Sequence, residues 1–131
     1  MPQRDINLIL MRQLASGMAV PMLLVDEGGD LLFFNEPAEV LLGQRFDEVG
    51  DMPLERRRRI FAFRDEQGNP VPDDQPPLVV ALREQRPVHR RVWMRTFDGQ
   101  DRAIEVTAFP LLGAGGHLIG GVATFWERRN R

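Results

Sequence analysis

Val20-Pro21-Met22-Leu23-Leu24-Val25-Asp26-Glu27-Gly28-Gly29-Asp30-Leu31-Leu32-Phe33-Phe34-Asn35-Glu36-Pro37-Ala38-Glu39-Val40-Leu41-Leu42-Gly43 is the stretch that decides the fold. Two short apolar runs flank a glycine-rich polar turn, which reads as an antiparallel hairpin. Asn35 follows at once and can cap a short helix from Glu36 to Leu42, with Pro37 tolerated in the first turn and Gly43 closing it. Upstream, Ile6, Ile9, Leu10, Leu14 and Met18 recur at three- and four-residue steps, so the spacing predicts a helix from Pro2 to Met18, stopped near Gly17. Leu8, Met11 and Ala15 fall off that stripe. A helix apolar on two sides has to bury both, either in one deep core or with one face on its own domain and the other on a second copy.

Downstream of Gly43 the pattern weakens until Leu54. The segment Leu54–Phe63 fits one continuous helix or a helical turn leading into a strand, and its Arg56-Arg57-Arg58-Arg59 run reads as a solvated face beside many carboxylates. Residues 65–73 form a loop dense in turn formers. Asp73 or Asp74 can cap a helix with Pro76 and Pro77 in its first turn, running to Glu84 before Pro87 forbids extension. Three alternating runs follow, Val88–Phe97, Arg102–Phe109 and Leu118–Trp126, joined by Asp98-Gly99 and a glycine turn at 113–116. Such a meander has one face to pack on a core.

Composition narrows the chemistry. The 131 residues carry 17 basic and 19 acidic side chains, a net charge of −2, and no cysteine. Without cysteine there is no disulfide framework, thiolate metal site or cysteinyl adduct. Every basic residue is Arg, which excludes Schiff-base lysines and lysine-bearing phosphate loops. Near-zero net charge argues against a nucleic-acid partner. No apolar stretch approaches the ~20 residues of a membrane span, and the N-terminus lacks a signal pattern, so a cytoplasmic location with no membrane association is expected.

Taken in order, Leu24-Val25-Asp26, Gly29-Asp30-Leu31, Phe34-Asn35-Glu36-Pro37-Ala38 and Leu41-Leu42-Gly43 resemble the opening of a PAS domain. Arg64-Asp65, Gly68, Pro77-Leu78, Ala81-Leu82, Asp98-Gly99, Phe109-Pro110-Leu111 and Ile119-Gly120 are similar to its second half as found in bacterial sensor proteins. The resemblance spans residues 18 to 127. It implies an α+β fold: a five-stranded antiparallel sheet of order 2-1-5-4-3, short helices enclosing a small cavity on one face, and an N-terminal helix on the other. Residues 1–18 would then be a dimerising or capping helix and 19–131 the domain proper. The resemblance further implies a sensory or interaction module, commonly dimeric, that feeds an effector domain or signalling protein. Where the family usually has Asp-Ile-Thr after the last strand, this chain has Glu127-Arg128-Arg129.

Alternation assigns the cavity wall. Leu78, Val79 and Leu82 should point down from the helix, and Leu23, Val25, Val92, Met94, Ile104, Val106, Ala108, Ala123 and Phe125 up from the sheet. This lining suits a filled core or a hydrophobic guest such as a fatty acid, because a charged head without a partner would cost several kcal/mol there. A covalent flavin adduct lacks its cysteine. Haem lacks a histidine on the helix that carries the ligand in haem-binding members, and His89 and His117 read as exposed. On the outer face Trp93, Phe109 and Trp126 join Met22, Leu24 and Val122, and the stripe of the leading helix should cover them. Leu8, Met11, Ala15, Trp93, Phe109 and Trp126 are thus the expected contacts of a homodimer. Three readings follow: a non-catalytic sensor binding an apolar molecule or partner, a ligand-free dimerisation scaffold, and, remotely, an isomerase-type α+β cone. The last needs an inward carboxylate, and Glu105 alternates outward.

Overall fold

The computed structural model describes residues 3–128, with side chains from Ile9 onward. Helix α1 spans Gln3–Ser16 and ends where Gly17 N–H bonds back to the carbonyls of Gln13 and Leu14. Strands β1 (Met22–Asp26) and β2 (Leu31–Phe34) form the expected hairpin. Asp26 holds its turn, one carboxylate oxygen accepting from Gly28 N at 3.0 Å and Asp30 N at 2.9 Å. The same device recurs in the later loop, where Asp65 accepts from Gln67 N and Asn69 N. Short aspartate side chains mimic a backbone turn in this way.

Helix α2 (Glu36–Leu42) starts on Asn35 and ends on Gly43, whose φ of 85° is the left-handed conformation glycine adopts freely. Asn35 does more than cap. Its Oδ1 accepts from Ala38 N at 3.2 Å and Met22 N at 2.9 Å, while Nδ2 donates to the carbonyls of Ala15 and Val20, both at 2.9 Å. One buried amide therefore ties α1, the α1–β1 link, β1 and α2 together.

Helices α3 (Phe46–Val49) and α4 (Leu54–Ile60) complete the segment left open by the sequence, and the helical alternative holds from Leu54 to Ile60. Helix α5 covers Pro77–Glu84. Its N-cap is Pro76 with no side-chain cap, so neither Asp73 nor Asp74 takes the role expected of it. A side chain caps from the residue immediately before the first helical one, and that place is held by Pro76, which leaves both aspartates two or more positions too early. Strands β3 (Val88–Arg95), β4 (Asp101–Leu112) and β5 (Leu118–Glu127) form the meander. The sheet is antiparallel in order β2-β1-β5-β4-β3, as the family resemblance implies. The open edge of β3 is partly covered by Arg64, whose backbone exchanges bonds of 2.9 and 2.8 Å with Trp93.

Two apolar layers flank the sheet. Beneath α4 and α5 lies the main core, with Leu23, Val25, Val92, Met94, Ile104, Val106, Ala108, Ala123 and Phe125 all buried on the predicted side. On the other face α1 covers Met22, Leu24 and Val122, but with the opposite side to the one expected. Met11 and Ala15 meet the sheet, whereas Ile9, Leu10, Leu14 and Met18 point outward, Leu10 and Leu14 at 57% and 64% exposure. The small side chain of Ala15 lets the helix approach closely, and the Asn35 bond to its carbonyl fixes that face inward. Ala15 is buried in this layer, and Met11 and Phe109 pack partly buried against it. Leu8 falls outside the residues whose side chains are described.

Both indoles do face outward, yet neither belongs to the layer under α1. Trp93 is half-buried beside Arg64, and Trp126 is 41% exposed with its ring 6.1 Å from that of His89. The helix covers the β1–β5–β4 end of this face, and the tryptophans stand beyond it.

Candidate functional site

Between the inner sheet face and helices α4 and α5 lies a cavity of about 30 Å³. Of the side chains expected to line it, Leu23, Leu78, Met94, Ile104, Val106, Ala123 and Phe125 do so. Val25, Leu82, Val92 and Ala108 are packed core instead. Val79 is turned the wrong way for the assigned role: it is half-buried on the outer flank of α5, and Val80 and Ala81 take the core positions. With about 100° per residue, Leu78, Ala81 and Val80 group on one side of a helix this short and Val79 falls opposite.

The cavity is small for two reasons. A Cβ on Gly121 would lie 3.0 and 3.1 Å from the methyl carbons of Leu82 and Leu78, so α5 rests directly on bare β5 backbone. At the far end aromatic rings fill the space: Phe34–Phe46 and Phe61–Phe97 pack edge-on with centroids 5.2 Å apart. Pockets for drug-sized guests run to roughly 300–1,000 Å³. The space left here holds water-sized groups, not a fatty acid or a flat aromatic.

Sequence reasoning missed Arg57, Phe61, Phe63 and Pro77 in the lining. Arg57 is the most informative, because among the described residues it is the one ionisable group on this wall. It is 3% exposed, and its Nε and Nη2 donate to the Gly29 carbonyl at 3.1 and 3.0 Å. Burial, and secondarily the neighbouring Arg58, pull the guanidinium down to about 10, against the opposing pull of Asp30 and Asp26. The other three arginines of the run are exposed or half-buried, so the expected solvated face holds for them and fails for Arg57. No local pattern marks Arg57, since its acceptor lies 28 residues upstream.

Outside the cavity, a groove of about 200 Å³ runs between α4, the 61–76 loop and α5. Arg57 and Phe63 belong to both spaces and form the partition between them. On the outer sheet face a broad shelf is lined by Arg91, Glu105, Trp126, Glu127 and Arg128. There Arg91 Nε pairs with Glu105 at 2.9 Å, and His89 Nδ1 stands 2.7 Å from Thr107 Oγ1. Glu105 faces outward as the alternation predicts, and His89 and His117 are exposed. Among the described residues no cluster of three metal-ligating side chains occurs, and no helix is long and apolar enough to cross a membrane.

Over residues 9–126 the chain matches the sequence pattern of the PAS fold family. No curated protein sequence matches it. Solved structures are similar in fold. A PAS domain of a Colwellia psychrerythraea protein superposes with a TM-score of 0.66 at 16% identity, covering 93% of this chain and 97% of the other. The PAS domain of nitrogen regulation protein NR(II) from Vibrio parahaemolyticus gives 0.65 at 16% identity, with 91% and 98% covered. A light-oxygen-voltage protein of Rhodobacter sphaeroides gives 0.72 at 15% identity, with 92% and 66% covered. The residues here do not fit a flavin of the light-oxygen-voltage kind, since the chain has no cysteine and the cavity is about 30 Å³.

Proposed function

The chain belongs to the PAS fold family, and from that premise we propose that it is a non-catalytic signal-transduction module acting as a homodimer and reporting to an effector domain or signalling protein. The observation that carries this reading is the outward row of Ile9, Leu10 and Leu14 on α1, continued past its end by exposed Met18 and Val20. Aliphatic side chains at three- and four-residue steps on a helix already packed by its other face form a seam for a second copy of the same helix. The side is the reverse of that read from the sequence, and the partner is the same.

Asn35 supports a route for the signal. It bonds α1, β1 and α2 at one point, so a shift of the sheet hairpin is felt at the base of the dimerising helix. A ligand or partner shifts such a dimer only by its differential affinity for two arrangements. The enzyme reading is disfavoured by the lining, because an isomerase-type base needs an inward carboxylate and the ionisable group on this wall is an arginine. A cytoplasmic location fits a module of this kind.

Light scattering of the 15.0 kDa chain across a concentration series tests the dimer. The wild type is expected at twice the monomer mass, and Leu10→Glu with Leu14→Glu should return it to the monomer while far-UV circular dichroism stays unchanged. A wild type that stays monomeric at the highest concentration would remove the proposal.

A further inference from the structure

We propose that the shelf around Trp126 seats the leading helix of a second copy, so that in the homodimer each α1 is held between its own sheet and the partner's. The inference rests on the dimer reading above and names the second surface that the dimer uses.

The placement of α1 is the first ground. The Arg12 guanidinium lies over the Phe33 ring at 4.7 Å, which turns that flank of the helix toward β2. At about 100° per residue, Leu10 and Leu14 each stand about 200° from Arg12, so they overhang the opposite flank, toward β4. Both are exposed there. Packed helices lie about 8–10 Å apart and strands about 4.8 Å apart, so a helix set beside α1 on this sheet rests two strands further on. Helix α1 sits on Met22, Leu24 and Val122 of β1 and β5. Two strands on from that pair are β4 and β3, whose Glu105 and Arg91 line the shelf.

Continuity is the second ground. The Phe125 N–H donates to the Pro21 carbonyl at 3.2 Å, which sets Trp126 beside the α1–β1 link, where Met18 and Val20 are exposed. Leu10, Leu14, Met18, Val20 and Trp126 thus mark one apolar strip that passes from helix to sheet. An indole left open at the end of such a strip is the kind of side chain that contributes most when an interface closes over it.

Charge selects the occupant. The shelf carries Arg91 and Arg128 against Glu105 and Glu127, with Arg91 paired to Glu105 at 2.9 Å and Glu127 to Arg102 at 3.2 Å. A strongly acidic or basic partner gains nothing from such a rim, whereas a two-fold interface sets the patch against its own copy and gathers no excess of either sign. Symmetry then places the rest. Leu10 and Leu14 face the neighbouring helix, and Ile9, about 200° round from inward Met11, meets the partner's shelf.

The test uses Trp93→Phe, which leaves Trp126 as the one indole of the full chain. Its fluorescence is followed over the same concentration series as the light scattering. Emission should shift to the blue as the mass doubles, because the indole leaves water. Trp126→Gln should raise the dimer dissociation constant at least about tenfold with far-UV circular dichroism unchanged. Val40→Gln, at an exposed position on α2 away from the strip, should leave that constant where it is. A dimer that forms with Trp126 emission unmoved, Trp126→Gln at full dimer affinity, or an equal loss in Val40→Gln would overturn the proposal while the α1 dimer stands. A chain that stays monomeric at the highest concentration would overturn both.

Discussion

Replacing Asn35 by alanine should be among the most damaging single changes to this domain. The side chain is 1% exposed and makes four hydrogen bonds, two accepted and two donated. A net contribution of about 1 kcal/mol for each bond gives a loss of roughly 3–5 kcal/mol, because Met22 N and the Ala15 carbonyl are left buried and unpaired. The capping bond to Ala38 accounts for about 1 kcal/mol of that. Against a total stability of about 5–15 kcal/mol the loss is large, and it corresponds to a fall in Tm of roughly 10–20 °C. Urea unfolding followed by far-UV circular dichroism measures it directly. Asn35→Asp sharpens the test, since it keeps both accepted bonds but sets a carboxylate against the carbonyls of Ala15 and Val20. Burial and those carbonyls raise the carboxyl's folded pKa above its unfolded value, so the variant regains stability as pH falls, when the protonated acid can donate. A loss below about 1 kcal/mol in Asn35→Ala, or an Asn35→Asp variant insensitive to pH between about 7 and 5, would refute the account of this residue as the joint between α1 and the sheet.

Two further outcomes follow from the charged groups. The Asp98 carboxyl is held below its ordinary value, chiefly by the Thr96 hydroxyl and then by the Gln100 backbone N–H and Arg102. Thr96→Val should therefore raise it toward the usual carboxylate range, and a ¹³C titration of Asp98 that does not move would contradict the assignment. Arg57 is held down to about 10 in the folded state, so above that pH the unfolded chain binds more protons and this group's contribution to stability rises. The wild type should gain stability relative to Arg57→Met between about pH 9 and 11 in urea titrations; parallel curves would show that the buried cation is not under that strain.

Much of the architecture was legible because its signals are local. Asn35, Pro37 and Gly43 mark α2 from start to stop within nine positions, and alternation in β3, β4 and β5 sorts Ile104, Val106 and Phe125 inward and Glu105 outward. What failed depends on contacts distant in the chain. Helix α1 is apolar on two sides, and periodicity cannot rank a stripe of leucines against a face carrying Ala15; the choice is made by a carbonyl bond to Asn35, 20 residues away. Arg57 sits among three identical neighbours, and only the position of the Gly29 carbonyl singles it out. The lining was over-drawn for a related reason. Inward orientation follows from alternation, but whether inward groups touch one another or surround a void depends on how far the helix stands off the sheet. Val25 and Leu82 point as predicted and are simply packed.

That stand-off is governed at one place. With hydrogen where other residues carry a methyl, position 121 lets Leu78 and Leu82 descend until they touch the strand itself. A larger residue there would act as a spacer, lifting α5 and widening the chamber beneath it. The internal capacity of this domain is in that sense metered by a single atom on β5.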